Sequence, residues 1–138
     1  VRVPSLIEWP VKIKAGSTSG MATCTVDYLP TILEITGIEM PDNRPLDGIS
    51  LVPLIEGKET KRSRALGFHI KGQAAWHDGT LKAYRGAKSN TWELYDLASD
   101  PGETKNLATE KQQRLKKMIQ AWTTWKASVD ASDQGQDY

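Results

Sequence analysis

The side chains best suited to chemistry gather in one short stretch, Phe68-His69-Ile70-Lys71-Gly72-Gln73, where a His, a Lys and a Gln surround a glycine between two apolar runs. A plain hairpin turn would favour Asn-Gly or Asp-Gly at this point. An imidazole, an ammonium and a carboxamide together suit charge-assisted hydrogen bonds to an anionic ligand. A polar surface turn is the plainer reading of the same residues, and both stay open. His77 follows eight positions after His69, on what reads as a separate strand, and the two have no metal-ligand spacing. Cys24 is the single cysteine, so no internal disulfide and no cysteine-based metal site can form. It precedes an expected core helix and reads as a small buried hydrophobe, not a nucleophile. Asp42-Asn43 lies between Pro41 and Pro45, where turn chemistry explains it better than cation binding.

The elements that must position these groups are drawn from 138 residues, enough for one domain of ordinary size. Apolar residues make up 38%, and five Trp supply large buried area. A net charge of +1 gives no electrostatic case for nucleic acid or an anionic membrane surface. No apolar run approaches the ~20 residues of a membrane-spanning helix. The chain starts Val-Arg-Val-Pro, without Met or a signal peptide, and Val1 to Trp9 reads as a strand already under way. A fragment of a longer polypeptide is expected, with its compartment unknown.

Thr25 to Gly37 predicts a helix, with Asp27 as N-cap, Pro30 in the first turn, and Gly37 closing it. Ser50 can cap a short helix from Leu51 to Glu56, stopped by Gly57. The charged run Lys58 to Arg64 reads as a solvated linker and a boundary. Strands are expected over Ala65–Ile70, Gln73–His77, Thr80–Arg85 and Trp92–Leu97, with a type I′ turn at Asp78-Gly79. Asp100-Pro101-Gly102 predicts a turn, with positive φ open to Gly102. The last helix should run from about Glu110 to Val129, capped by Thr109 with Gln112, and frayed from Asp130 onward. Leu115, Met118, Ile119, Trp122 and Val129 would face the sheet.

Two strings carry a family resemblance: WELYDLASDPGETKNLA over residues 92–108 and VDYLPTILEITGI over 26–38. They resemble the C-terminal region of the sulfatases, the formylglycine-dependent sulfuric ester hydrolases of sulfamidase and arylsulfatase type. RVPSLIEWP, followed by Lys12-Ile13-Lys14, and Leu46-Asp47-Gly48-Ile49-Ser50-Leu51 are similar to further family segments. The resemblance implies an α/β (α+β) fold, the C-terminal part of an alkaline-phosphatase-like sulfatase fold, with a small antiparallel sheet packed against a C-terminal helix. Residues 1–60 would close the large sulfatase domain, and 61–138 would form the C-terminal subdomain.

The resemblance implies a parent that hydrolyses sulfate esters on carbohydrates, with calcium and formylglycine supplied outside this segment. No catalytic residue, metal ligand or cofactor is expected within it, since Cys24 does not fit C/S-x-P-x-R and the active-site Lys would lie before Val1. His69, Lys71, Gln73 and His77 are the substrate-binding candidates. His77 stands where family members often carry an Arg. The expected partners are the remainder of the catalytic domain and a sulfated carbohydrate or aryl sulfate, with no nucleic acid and no membrane. A periplasmic, secreted or lysosomal site is expected from the family. The alternatives are a phosphoryl or phosphonate ester hydrolase of the same superfamily, or a non-catalytic packing and recognition module.

Overall fold

The computed structural model describes residues 3–42 and 44–136, and these form two compact units, Val1–Ser63 and Arg64–Tyr138. Asn43 lies outside the described residues, so the Asp42-Asn43 pair is seen only through Asp42, which binds Arg44.

In the first unit the expected strand at the N-terminus is absent among residues 3–9, which run without regular structure and largely exposed. A strand needs a neighbour for its N–H and C=O groups, and no described residue pairs with this stretch. Thr25–Asp27 forms a 3-10 turn that leads into α1, Tyr28–Thr36, and Gly37 ends the helix at φ 67. A short helix α2, Val52–Ile55, follows, narrower than the expected 51–56. Ser50 Oγ accepts the Val52 N–H at 3.2 Å, and Gly57 leaves the helix at φ 72.

Helix α1 is turned inside out for an isolated unit. It buries Asp27, at its start, and Thr31, while Tyr28, Leu29, Ile32 and Ile35 lie exposed, Ile32 at 56%. The buried pair straps α1 to the loop before α2. Asp27 Oδ1 accepts the Ile49 N–H at 2.9 Å, and Thr31 Oγ1 accepts the Leu51 N–H at 2.9 Å. Spacing explains the fit: four helical residues rise about 6 Å and two extended residues about 6.6 Å. Gly48 allows the close approach, because a Cβ there would overlap the Val26 carbonyl.

The second unit holds four antiparallel strands in sequential order: β1 Leu66–Ile70, β2 Gln73–Asp78, β3 Leu81–Arg85 and β4 Glu93–Asp96. The alternation of side chains along each strand divides the sheet into two faces. Gly67, His69, Ala74, Trp76, Ala83, Arg85 and Leu94 share one face by register. Helix α3, Gln112–Asp133, packs on that face through Leu115, Met118 and Trp122. The core is Ala83, Leu94, Leu107, Leu115 and Met118, where two small or medium strand residues admit the helix.

Two details of α3 differ from expectation. The Thr109–Gln112 capping box does not form, and Lys111 precedes the helix with no side-chain cap. The helix also continues past Val129 to Asp133, where Lys126 and Asp130 pair one turn apart. Trp125, outside the expected stripe, lies against Trp76 with ring centroids 6.2 Å apart, and its indole fills the space over Gly67.

Candidate functional site

The stretch from His69 to Gln73 is a two-residue hairpin between β1 and β2, with Ile70 opposite Gln73. Lys71 and Gly72 both adopt positive φ, 47 and 81, the pattern of a type I′ turn. That turn was expected at Asp78-Gly79. There only Gly79 is positive, φ 64, between the paired Asp78 and Leu81, as in a type II′ turn. A lysine thus holds a position that Asn, Asp or Gly normally fills.

The turn does not gather the four candidates. Gln73 lies on the open face of the sheet, where its Oε1 accepts the Tyr84 hydroxyl at 3.0 Å. His69 lies on the helix-facing side, its ring edge-on to Trp122 at 6.0 Å. Lys71 is exposed at the tip. His77 sits opposite Leu66 and Lys82, four residues along β2 from Gln73, or about 13 Å. His69, Lys71 and Gln73 therefore share one end of the sheet, and His77 belongs to its middle.

Residues missed in the sequence complete that end. Arg85 lies against two indoles, 5.3 Å from the Trp92 centroid and 5.5 Å from that of Trp122. Trp122 Nε1 donates to the Phe68 carbonyl at 3.1 Å, which fixes its ring. The signal in the sequence was an absence: residues 67–76 and 83–92 contain no Asp or Glu.

The C-terminal motif acts as a clasp on the edge strand. Asn106 Oδ1 accepts the Leu94 N–H at 3.0 Å, and the Leu107 N–H donates to the Leu94 carbonyl at 2.7 Å. Asp100 organises the preceding loop by accepting from the Thr104 and Lys105 N–H groups at 2.7 and 2.8 Å. Those bonds, Lys105 first, hold its carboxyl below the ordinary range. The Asp100 carbonyl accepts the Glu103 N–H at 3.1 Å, closing a turn on Pro101 and Gly102. Positive φ falls on Glu103, at 56, and not on Gly102. Glu103 in turn grips Lys82, with both carboxylate oxygens 2.7 Å from Nζ.

In the first unit, Arg62 reaches into the α1 strap. The expected solvated linker holds a guanidinium whose side chain is 5% exposed, paired with Asp27. Burial raises the Asp27 carboxyl, but the Arg62 hydrogen bonds and the Ile49 and Cys24 N–H groups outweigh it, so the group stays ionised below its ordinary range. Among the described residues no three His, Cys, Asp or Glu side chains converge to hold a cation. Asp27 and Asp42 are each paired with an arginine. No helix among the described residues is long and apolar enough to cross a membrane.

A clasped four-stranded sheet under one long helix in one unit, and a strapped helix in the other, are elements of a sulfatase C-terminal region. The family described as N-sulphoglucosamine sulphohydrolase, C-terminal, matches residues 1–125, and the chain belongs to it. Human arylsulfatase D is 40% identical over 81 residues, covering 56% of this chain and 14% of that protein. N-acetylglucosamine-6-O-sulfatase of Bacteroides thetaiotaomicron is 30% identical over 139 residues, covering 86% of this chain and 24% of that protein. A solved protein in complex with its substrate D-glucosamine-2-N,6-O-disulfate superposes with TM-score 0.66 at 25% identity, over 91% of this chain and 28% of that one. The chain thus spans about a quarter, or less, of the length of these relatives. It is the C-terminal part of an alkaline-phosphatase-like sulfatase fold.

Proposed function

We propose that the complete protein hydrolyses sulfate esters on a carbohydrate, and that this segment supplies part of the rim of the substrate mouth. The family match over residues 1–125 carries the reaction class. The sugar reading is supported by the Bacteroides relative named for a sugar sulfate and by the polar hairpin tip of His69, Lys71 and Gln73. His77 would act from the open face, where it is paired with Lys82 across the sheet. These groups bind and orient by hydrogen bonds and charge, without joining the chemistry. A formylglycine and a calcium ion in the remainder of the domain would supply the nucleophile and the clamp on the sulfate.

Residues 1–60 would close the large domain, and 61–138 would form the subdomain. The inside-out α1 supports this reading. A helix that hides Asp27 and Thr31 and presents Leu29, Ile32 and Ile35 needs an apolar partner, which the rest of the catalytic domain would provide.

The test compares the complete protein with this segment on an aryl sulfate and on a 6-sulfated amino sugar, with calcium present. Turnover is expected only from the complete protein. His69→Ala and Lys71→Ala in that protein should raise KM for the sugar more than they lower kcat. Equal losses on both substrates would count against a role at the mouth, and turnover by the segment alone would refute the division of labour.

A further inference from the structure

Across the helix-facing side of the sheet, register sets His69 beside Ala74 and Ala74 beside Arg85, while Trp92 stands just before β4. Ala74 is buried and small, and Trp122 reaches the sheet between His69 and Arg85. The two indoles, Trp92 and Trp122, themselves meet edge to face at 5.3 Å. The guanidinium carbon of Arg85 lies 5.3 Å from the Trp92 centroid and 5.5 Å from that of Trp122, and among the described residues no hydrogen bond or ion pair engages it. A cation–π contact consumes no N–H donor, so the guanidinium keeps its N–H groups for a ligand. Held this way, the group loses little freedom when it binds.

The surroundings favour an anion. The segments 67–76 and 83–92 carry His69, Lys71, Arg85 and Lys88 and none of the chain's 17 acidic residues. The turn and the loop that bear the two lysines are neighbours, since a Cβ on Gly72 would lie 3.6 Å from Ala87. Elsewhere in this unit several cations are paired: Arg114 with Asp78, Lys105 with Glu110, and Lys126 with Asp130. Within these two segments no carboxylate offsets the cations.

We propose that this end of the sheet, centred on Arg85, binds a sulfate or carboxylate group of a sulfated glycan through the in-plane donors of Arg85, with Lys71 and Lys88 adding attraction. The site rests on the carbohydrate reading above and adds that the substrate is a polyanionic chain, gripped at a second charged group. Planar bidentate recognition explains the choice of Arg over Lys at position 85.

The test is calorimetric titration of the complete protein with a heparin tetrasaccharide and with its chemically desulfated counterpart. The sulfated probe should bind at least about tenfold more tightly. Arg85→Lys should weaken binding about fivefold and Arg85→Gln about tenfold or more, with the thermal midpoint checked for each. Lys116→Gln, an exposed cation on α3 outside the site, should stay within about twofold. Wild-type affinity in both Arg85 variants would overturn the proposal, as would an equal loss in Lys116→Gln. Should the Arg85 variants fail to fold, Lys71→Gln with Lys88→Gln decides: about a threefold loss supports the site, and no loss overturns it. Aryl sulfate turnover by the wild-type protein reads the proposed activity separately, so its failure is distinguishable from a failure of the site.

Discussion

Arg62 and Asp27, 35 positions apart, form a buried bidentate pair: Nη1 donates to Oδ2 at 2.7 Å and Nη2 to Oδ1 at 2.8 Å. The same carboxylate accepts the Cys24 N–H at 2.8 Å and the Ile49 N–H at 2.9 Å, so one side chain joins three segments of the first unit. Arg62 Nε is buried without a protein acceptor among the described residues, which makes the guanidinium dependent on its partner.

Asp27→Asn should therefore destabilise the first unit by about 3–5 kcal/mol, because it leaves Arg62 buried and unpaired. Arg62→Met should cost less than Asp27→Asn, since the carboxylate keeps its two N–H donors. Denaturant midpoints check both. The pair also sets a pH dependence. The folded carboxyl titrates below its unfolded value, so the stabilisation is complete above the ordinary aspartate range near ~4 and is lost as pH falls through the lowered folded value. A first-unit signal that stays constant down to pH ~2 would contradict this.

Gly67 admits the Trp125 indole, and any Cβ there would overlap the ring. Gly67→Ala should cost about 1–3 kcal/mol by forcing the helix off the sheet. Trp122→Ala should cost about 3–5 kcal/mol, since it removes a buried indole and its bond to the Phe68 carbonyl. A midpoint that does not move in either variant would show that α3 does not hold the sheet.

Lys71 pays a conformational cost at φ 47 that Asn would largely avoid. Lys71→Asn should raise stability by about 1 kcal/mol while weakening the sugar substrate. A thermal melt alongside KM measurements reads the trade directly, and a lower melting point would argue against the turn geometry.

Asn106→Ala removes the acceptor for the Leu94 N–H, at a strand residue with no exposure. About 1–2 kcal/mol should be lost. Amide exchange at Leu94 should accelerate more than at Ala83 in the sheet interior, and equal rates would show that the clasp does not protect the edge.

By itself the sequence determined the elements that repeat a local pattern. The four strands of the second unit fall within two residues of expectation, because alternation and glycine turns are local signals. Two motifs, around Asp27 and around Asp100, were enough to mark the sulfatase family. Only the tertiary structure decided what those motifs do. Asp27 was expected to cap its own helix, yet its carboxylate serves Ile49 and Arg62, since a buried charge takes whichever donors the fold brings to it. The type I′ turn expected at Asp78-Gly79 falls instead at Lys71-Gly72, because the type of each turn follows from where strand register puts the central residues, which no dipeptide states. The N-terminal strand did not form among the residues described, because a strand exists only with a neighbour. The four candidate residues were close in sequence, but a period of two set His69 on one face and Gln73 on the other, and set His69 against Trp122, whose ring also meets Arg85.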